Sequence, residues 1–331
     1  MLKELDSIKI ISEYLCAKSI IPSKITTINQ IYDFFSYLQK NKHKFFTLYI
    51  YNYLYRFISS NEVAKRKTSA RVFEDLLAII FNGCVADTQE RKNLSYEVGD
   101  YFINVKDKIA SNRREKADII FPNHYSFSLK TLIAKNTEIN MGSFEKRVLF
   151  DSLKVDNYLS ERKSSDGAGV GSKPQFLKLL KLIDTLSSFE SFREKFNKMA
   201  EFIYSDDLVL VIKDDTKMEL YFFNGSEVVK IFKDSTTSKE SFLELINRYE
   251  GNSLRIDRNI LIAHCNKKIF LDFSYLDSSI IKLVNDFDFK LHHSFIKYFS
   301  DVESKLLTKQ NIFNDLERLF GEFDKNYKVL V

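Results

Sequence analysis

Two short apolar segments joined by a turn constrain the fold of this chain more than any other feature. Segments 117–121 (ADIIF) and 125–133 (YSFSLKTLI) flank Pro122-Asn123, a pair that is typical of turns. The second segment alternates small polar with large apolar residues, and side chains two apart share one face of a strand. The polar residues on that shared face are Ser126, Ser128 and Lys130. The pattern predicts a pair of strands, and Asp118 on the first would lie beside the polar face of the second if they form a hairpin.

The segment upstream of these strands predicts a helix. In 68–84 (TSARVFEDLLAIIFNGC) the apolar residues recur at helical spacing, and Asn82-Gly83 is a typical C-terminal stop. Thr68 or Ser69 is the expected N-cap. Glu74 lies about a quarter turn from the centre of the apolar stripe, between the buried and the solvent side. The helix and the two strands together offer two carboxylates and a lysine.

The rest of the chain predicts helices around this centre and a mixed C-terminal part. Residues 1–65 are expected to be a helical N-terminal region and 66–160 the core, with a further strand at 95–105. Residues 161–174, rich in Gly and Ser, are expected to be a flexible loop or linker. Residues 175–331 are expected to hold helices, strands at 208–234 and helices again from about 277. The predicted fold class is α/β, mixed α+β, with a sheet flanked by helices.

Composition and charge exclude several classes of protein. With 44% hydrophobic and 29% charged residues, the 331-residue chain is expected to fold and not to be disordered. It lacks a run of about 18 apolar residues, and its start lacks the apolar core of a signal peptide, so an intracellular protein is expected. The three cysteines are scattered, which predicts free thiols, and the net charge of +5 permits a polyanionic partner.

At these residues the chain resembles the PD-(D/E)XK nuclease superfamily, and most of all the type II restriction endonucleases. The likeness covers roughly residues 68–150: a helix with Glu74, then Asp118, then a strand that ends in Leu129-Lys130. It implies a restriction-endonuclease-like core, with Asp118 and the Leu129 carbonyl as ligands of Mg²⁺, the implied cofactor. It further implies that Lys130 positions the attacking water and that Glu74 assists through a metal or its water. Hard oxygen ligands of this kind suit Mg²⁺.

One position departs from the family pattern. Ser128 stands where the family usually has Asp or Glu, and a serine does not supply a full negative charge. The second carboxylate must then come from elsewhere, and Glu74 is the candidate because the family relocates this acid onto the helix. An inactive site is the alternative.

The resemblance implies cleavage of double-stranded DNA by a homodimer in the bacterial cytoplasm, as part of restriction-modification. Basic and amide side chains near the site are the expected DNA contacts: Arg113, Arg114, Lys116, Lys135, Asn136, Asn140 and Lys173. Two alternatives stay open, a repair or junction nuclease of the same fold and a catalytically inactive DNA-binding module. A nucleotide cofactor is not expected, because Gly171-Ser172-Lys173-Pro174 lacks the order of a phosphate-binding loop. Neither His264-Cys265 nor His292-His293 has the spacing of a zinc site.

Overall fold

The protein is described here by a computed structural model. It describes residues 4–59, 69–85, 117–123, 125–144, 149, 173–186, 188–250, 253–303 and 309–330. Within them the fold is mixed α/β, with a sheet flanked by helices, as the sequence predicts. The expected strand at 95–105 lies outside the described residues.

The elements are numbered in chain order over the described residues. The helices are α1 (Glu4–Ala17), α2 (Ile28–Lys40), α3 (Phe45–Ser59), α4 (Ser69–Ile80), α5 (Lys173–Leu186), α6 (Phe189–Ile203), α7 (Gly225–Ser235), α8 (Lys239–Leu245), α9 (Arg258–Ala263), α10 (Ser278–Glu303) and α11 (Lys309–Leu330). The strands are β1 (Cys84–Val85), β2 (Ile119–Ile120), β3 (Ser126–Ile133), β4 (Glu138–Ser143), β5 (Asp207–Lys213), β6 (Lys217–Phe223), β7 (Ile246–Glu250), β8 (Ser253–Asp257) and β9 (Lys267–Asp272). None of the described helices is long and apolar enough to cross a membrane.

Helix α4 ends as its sequence predicts. Asn82 adopts a left-handed conformation with φ of 55°, and its backbone N–H donates to the Ile79 carbonyl at 3.3 Å. The N–H of Gly83 donates to the carbonyl of Ala78 at 2.8 Å, five residues back. This pair of bonds satisfies carbonyls that the end of a helix leaves without partners. The chain therefore turns sharply from α4 into β1.

A six-stranded sheet has the strand order β1-β2-β3-β5-β6-β9. β1 and β2 are antiparallel, as are β2 and β3, whose register pairs Ile119 with Phe127 and Ile120 with Ser126. Pro122-Asn123 forms the turn between β2 and β3, and the Phe121 N–H donates to the Tyr125 carbonyl at 2.8 Å. The predicted strand pair is therefore present, although β2 has only two residues.

The chain forms two compact units. The first contains Met1–Leu129, Lys213–Glu219 and Ile269–Val331, and the second contains Lys130–Ile212 and Leu220–Lys268. The unit boundaries fall within β3, β5, β6 and β9. Residues 161–172 of the predicted linker at 161–174 lie outside the described residues. Lys173, expected in that loop, is the first residue of α5.

Aromatic side chains build the helical core of the first unit. Phe45 of α3 lies 5.2 Å, centroid to centroid, from Phe287 of α10 and 5.2 Å from Phe323 of α11. Phe287 also stacks on Phe320 at 5.1 Å. Aromatic pairs at such distances add to the stabilisation that burial provides. The helices predicted at both ends of the chain are thus confirmed.

The second unit contains a three-stranded antiparallel sheet of order β4-β8-β7. Ile256 of β8 pairs with Ile139 of β4 on one side and with Ile246 of β7 on the other. All three isoleucines are fully buried in the core of this unit. The pairing with β8 thus holds β4, the strand that follows the turn after β3, within this sheet.

One expectation about this unit is wrong. Residues 208–234 were expected to be strands joined by turns, which holds for β5 and β6, but Gly225–Ser235 form helix α7. The buried residues of α7 include Val228, Ile231 and Phe232, at the i, i+3, i+4 spacing of a helix face. Asn224 precedes the helix at the N-cap position. The apolar spacing therefore selects a helix despite the β-branched residues.

Candidate active site

Strand β3 carries a polar face in a buried setting. Ser126 and Ser128 are only 9% and 6% exposed, and Lys130 is half-buried two positions further along the strand. The intervening Phe127 and Leu129 are buried as well. Serine is mostly found exposed, so two buried serines in alternation mark this strand as more than core packing.

Asp118 lies against the backbone of β3. Its N–H donates to the Phe127 carbonyl at 3.2 Å, and its Oδ2 accepts a hydrogen bond from the Leu129 N–H at 2.7 Å. The side chain therefore reaches the strand between Ser128 and Lys130. A hydrogen bond to an ionised acceptor is about twice as strong as a neutral one, which fixes the carboxylate at this point.

Glu74 is buried on helix α4. Its residue is 9% exposed and lies among Phe73, Leu76 and Leu77, each at most 1% exposed. Helix α4 contacts β1 and β2. A glutamate is rarely this buried unless polar or charged groups surround it, so its position inside the first unit is informative. The sequence places Glu74 between the buried and the solvent side of the helix, and the structure shows that it is buried.

Close packing joins the end of α4 to the β2–β3 strand pair. A Cβ placed on Gly83 would lie 2.8 Å from Cε1 of Phe121 and 3.1 Å from the Ile120 carbonyl oxygen. Phe121 in turn stacks on Phe127 at 6.2 Å between centroids. Glycine is required at this close approach. The contact packs the end of α4, the helix that carries Glu74, against the β2–β3 strand pair, which Asp118 immediately precedes.

The donor set suits a hard divalent cation. Asp118 and Glu74 supply carboxylates, and Leu129, whose N–H donates to the Asp118 carboxylate, also has a backbone carbonyl. Mg²⁺ is commonly held by one or two carboxylates, with waters and substrate phosphate completing its shell. Within the described ranges, no group of three or more His, Cys, Asp or Glu side chains is arranged to hold a metal. An open Mg²⁺ site with fewer protein carboxylates, completed by water and substrate phosphate, is compatible with this finding.

The other predicted residues fall into three groups. Lys135 and Asn136 lie exposed in the turn after β3, and Asn140 is exposed on β4, where its Oδ1 accepts from the Gly142 N–H at 3.0 Å. Lys173 begins α5. Arg113, Arg114 and Lys116 lie outside the described residues.

Two residues emerge that the sequence analysis did not select. Lys213, at the end of β5, is 5% exposed, and burial lowers its pKa although the nearby Asp215 acts in the opposite direction. In LVLVIK an apolar, strand-like run leads to a lysine, as SFSLK leads to Lys130, so a local signal existed. Arg258 hydrogen-bonds the turn after β3 across 124 residues of sequence, and no local pattern predicts that contact.

Comparisons with protein-family models, with curated proteins and with solved structures returned no match for this chain.

Proposed function

We propose that this chain is a Mg²⁺-dependent endonuclease that hydrolyses phosphodiester bonds of double-stranded DNA. The observation that carries the proposal is the Asp118 carboxylate on the Leu129 backbone, between Ser128 and Lys130 of one strand. It puts Asp118, the residue just before β2, beside the strand that contains Lys130, which is the arrangement that the resemblance to PD-(D/E)XK nucleases implies. The buried Glu74 and Ser128 support the proposal, because they concentrate polar groups in the first unit near these strands.

Each residue has a distinct role in this proposal. Asp118, Glu74 and the Leu129 carbonyl would hold the metal ion. When bound, Mg²⁺ polarises the phosphoryl oxygen and makes a bound water more acidic. Lys130 would orient the attacking water and offset the negative charge that develops on the phosphate. Ser128 would contribute a hydroxyl and no charge, so Glu74 takes over the missing second acid.

The contacts with DNA would come from the basic and amide residues already named. The exposed Lys135, Asn136 and Asn140 are favoured among these, since all three follow the catalytic strand closely in the chain. Phosphate contacts orient a nuclease on the duplex, and base contacts select the sequence. We propose sequence-specific restriction by a homodimer, because one active site per strand matches a two-fold symmetric target.

Digestion of plasmid DNA tests the proposal. Purified protein with Mg²⁺ should produce discrete fragments, and EDTA should abolish them. Lys130→Ala should abolish cleavage, while Lys178→Ala, which removes an exposed lysine from α5, should cleave as the unmodified protein does. Intact DNA over a range of metals and salt concentrations would contradict the proposal, as would full activity of Lys130→Ala.

A second function is favoured by one specific feature, the absence of an acid at position 128. Without that charge the chain would be a DNA-binding module that has the nuclease fold but no catalysis. Binding of DNA that is indifferent to Mg²⁺, together with no cleavage under any condition, would support this alternative. The same plasmid assay, run beside a binding assay, therefore distinguishes the two functions.

A further inference from the structure

The turn between β3 and β4 is held by an unusual set of hydrogen bonds. Nη1 of Arg258 donates to the backbone carbonyls of Ala134 and Asn136, each at 2.8 Å. The backbone N–H of Arg258 donates to the Thr137 carbonyl at 2.9 Å. The turn itself is closed by the backbone N–H of Asn136, which donates to the Ile133 carbonyl at 2.8 Å. Exposed turns are ordinarily mobile. This one is fixed at its backbone, while its side chains remain exposed.

The hydrogen bonds from Arg258 to the carbonyls of Ala134, Asn136 and Thr137 form a clamp that stabilises the turn. The clamp leaves one donor of Arg258 unsatisfied. Its Nε is buried and has no hydrogen-bond partner. A buried donor without a partner is destabilising, because it has lost its hydrogen bonds to water. The two hydrogen bonds from Nη1 offset this cost, and they do so only while the turn keeps its conformation.

Charge does not favour attraction of DNA to the turn from a distance. Lys135 and Arg258 are positive, but Glu138 and Asp257 form a cross-strand pair directly beside the turn. Two bases and two acids leave no net charge, so long-range steering would be weak. Binding at this turn would depend on the fixed placement of individual side chains.

The distance from the proposed catalytic lysine suits a duplex. Lys130 precedes Ile133, the last residue of β3, by three positions, a rise of about 10 Å along a strand. The major groove of B-DNA is about 12 Å wide. A side chain on the turn would thus be near enough to Lys130 to contact the same duplex.

We propose that Arg258 is a positioning residue that holds the β3–β4 turn ready to contact duplex DNA through Lys135 and Asn136. This inference rests on the proposed nuclease function for its ligand. Because the backbone is already fixed, DNA binding would not have to order it, and the conformational entropy of those residues would not be lost on binding. Loss of the clamp should therefore weaken DNA binding only when the side chains of Lys135 and Asn136 are present to contact the DNA.

A double-mutant cycle on binding tests this inference. Affinity for a fluorescent duplex of about three helical turns is measured in EDTA, so that cleavage does not interfere. Arg258→Gln should weaken binding about tenfold, which corresponds to about 1.4 kcal/mol. In the Lys135→Ala/Asn136→Ala background the same change should have less than about a twofold effect, because coupled sites are not additive. Lys230→Ala, which removes an exposed lysine from α7, is the matched control and should bind as the unmodified protein does.

The outcomes separate this inference from the proposed function. An equal loss from Arg258→Gln in both backgrounds would indicate a general structural role and overturn the inference, as would unchanged binding by Lys135→Ala/Asn136→Ala. Either result leaves the plasmid assay to decide on the nuclease. A coupled loss of binding without any plasmid cleavage would support the positioning role and contradict the nuclease proposal. No binding of duplex at low salt would overturn both. If Arg258→Gln does not fold, Arg258→Lys serves in the same cycle.

Discussion

The carboxylate of Asp118 and the backbone amide of Leu129 are joined by a hydrogen bond of 2.7 Å. Strand β2 contains only Ile119 and Ile120. Beyond it, the side chain of Asp118, and not a backbone group, accepts the hydrogen bond from the Leu129 N–H of β3. Asp118 therefore has a structural role as well as the proposed role as a metal ligand. The two roles respond differently to substitution, which allows them to be separated.

Substitution of Asp118 should separate stability from catalysis. Asp118→Ala leaves the Leu129 N–H without its acceptor, which should lower the free energy of unfolding by about 1–3 kcal/mol. Asp118→Asn retains an acceptor oxygen and should lower the free energy of unfolding by less. Both variants should lose cleavage, since neither supplies a charged metal ligand. Urea unfolding followed by circular dichroism measures the first effect, and plasmid digestion the second. An Asp118→Ala protein as stable as the unmodified one would mean that this hydrogen bond contributes nothing to the fold.

Substitution of Glu74 should change the requirement for Mg²⁺. If this carboxylate acts on the metal or its water, Glu74→Gln should raise the Mg²⁺ concentration for half-maximal cleavage by about 10–100-fold. The amide has nearly the same shape, so the fold should persist. Titration of cleavage rate against Mg²⁺ measures the effect. A lower maximal rate with an unchanged Mg²⁺ requirement would argue against a role at the metal.

An acid at position 128 should rescue the loss of Glu74. Ser128→Asp places a carboxylate at the position that the PD-(D/E)XK family usually uses, next to the Leu129 amide that binds Asp118. In the Glu74→Gln background it should bring the Mg²⁺ concentration for half-maximal cleavage back by at least about tenfold, and so raise the rate at limiting Mg²⁺, because one relocated ligand replaces another. Ser126→Asp, on the same strand face, is the matched control and should not rescue. If Glu74→Gln/Ser128→Asp and Glu74→Gln/Ser126→Asp cleaved DNA at equal rates, the proposed exchange of acids would be refuted.

Much of the local structure around the candidate site follows from sequence patterns. The alternation in 125–133 correctly predicted β3, and the 3.6-residue spacing before Asn82-Gly83 correctly predicted α4 and its end. These features depend on neighbours in the chain, which is why one sequence suffices. The contact of Asp118 with Leu129 depends on where β2 stops, and no local pattern specifies that residue.

The features that sequence did not predict have physical reasons. In α7 the β-branched Val228, Val229 and Ile231 favoured a strand assignment, but burial of one helical face outweighed intrinsic preference. The clamp by Arg258 joins residues more than 120 positions apart, and its partners are backbone carbonyls that carry no sequence signal. Long-range hydrogen bonds to the backbone are therefore the part of this fold that sequence patterns do not predict.

Two glycines should respond oppositely to alanine. A Cβ on Gly225 would lie 2.6 Å from the Asp206 carbonyl oxygen and 2.7 Å from that of Tyr204, and backbone atoms do not move aside easily. Gly225→Ala should therefore destabilise the protein by about 3 kcal/mol, the upper end for overpacking. Gly321, within α11, has open space around the same position, and Gly321→Ala should stabilise by about 0.5–1 kcal/mol. Thermal unfolding of the two variants measures both effects, and a Gly225→Ala protein with an unchanged Tm would contradict the predicted clash.

Lys213 should make stability depend on pH on the alkaline side. Burial lowers the pKa of its ammonium group in the folded protein, with Asp215 opposing the effect, while the unfolded chain retains a value near 10.4. Between these two pKa values the unfolded chain binds more protons than the folded one, so the free energy of unfolding rises with pH in that window. Lys213→Met should remove this rise and increase stability at pH values below the folded pKa, where the buried lysine is charged. Lys217→Met, at an exposed position on the neighbouring strand, should retain the rise. Urea midpoints measured from neutral pH to about pH 10.4 test the prediction, and a Lys213→Met profile parallel to that of the unmodified protein would contradict it.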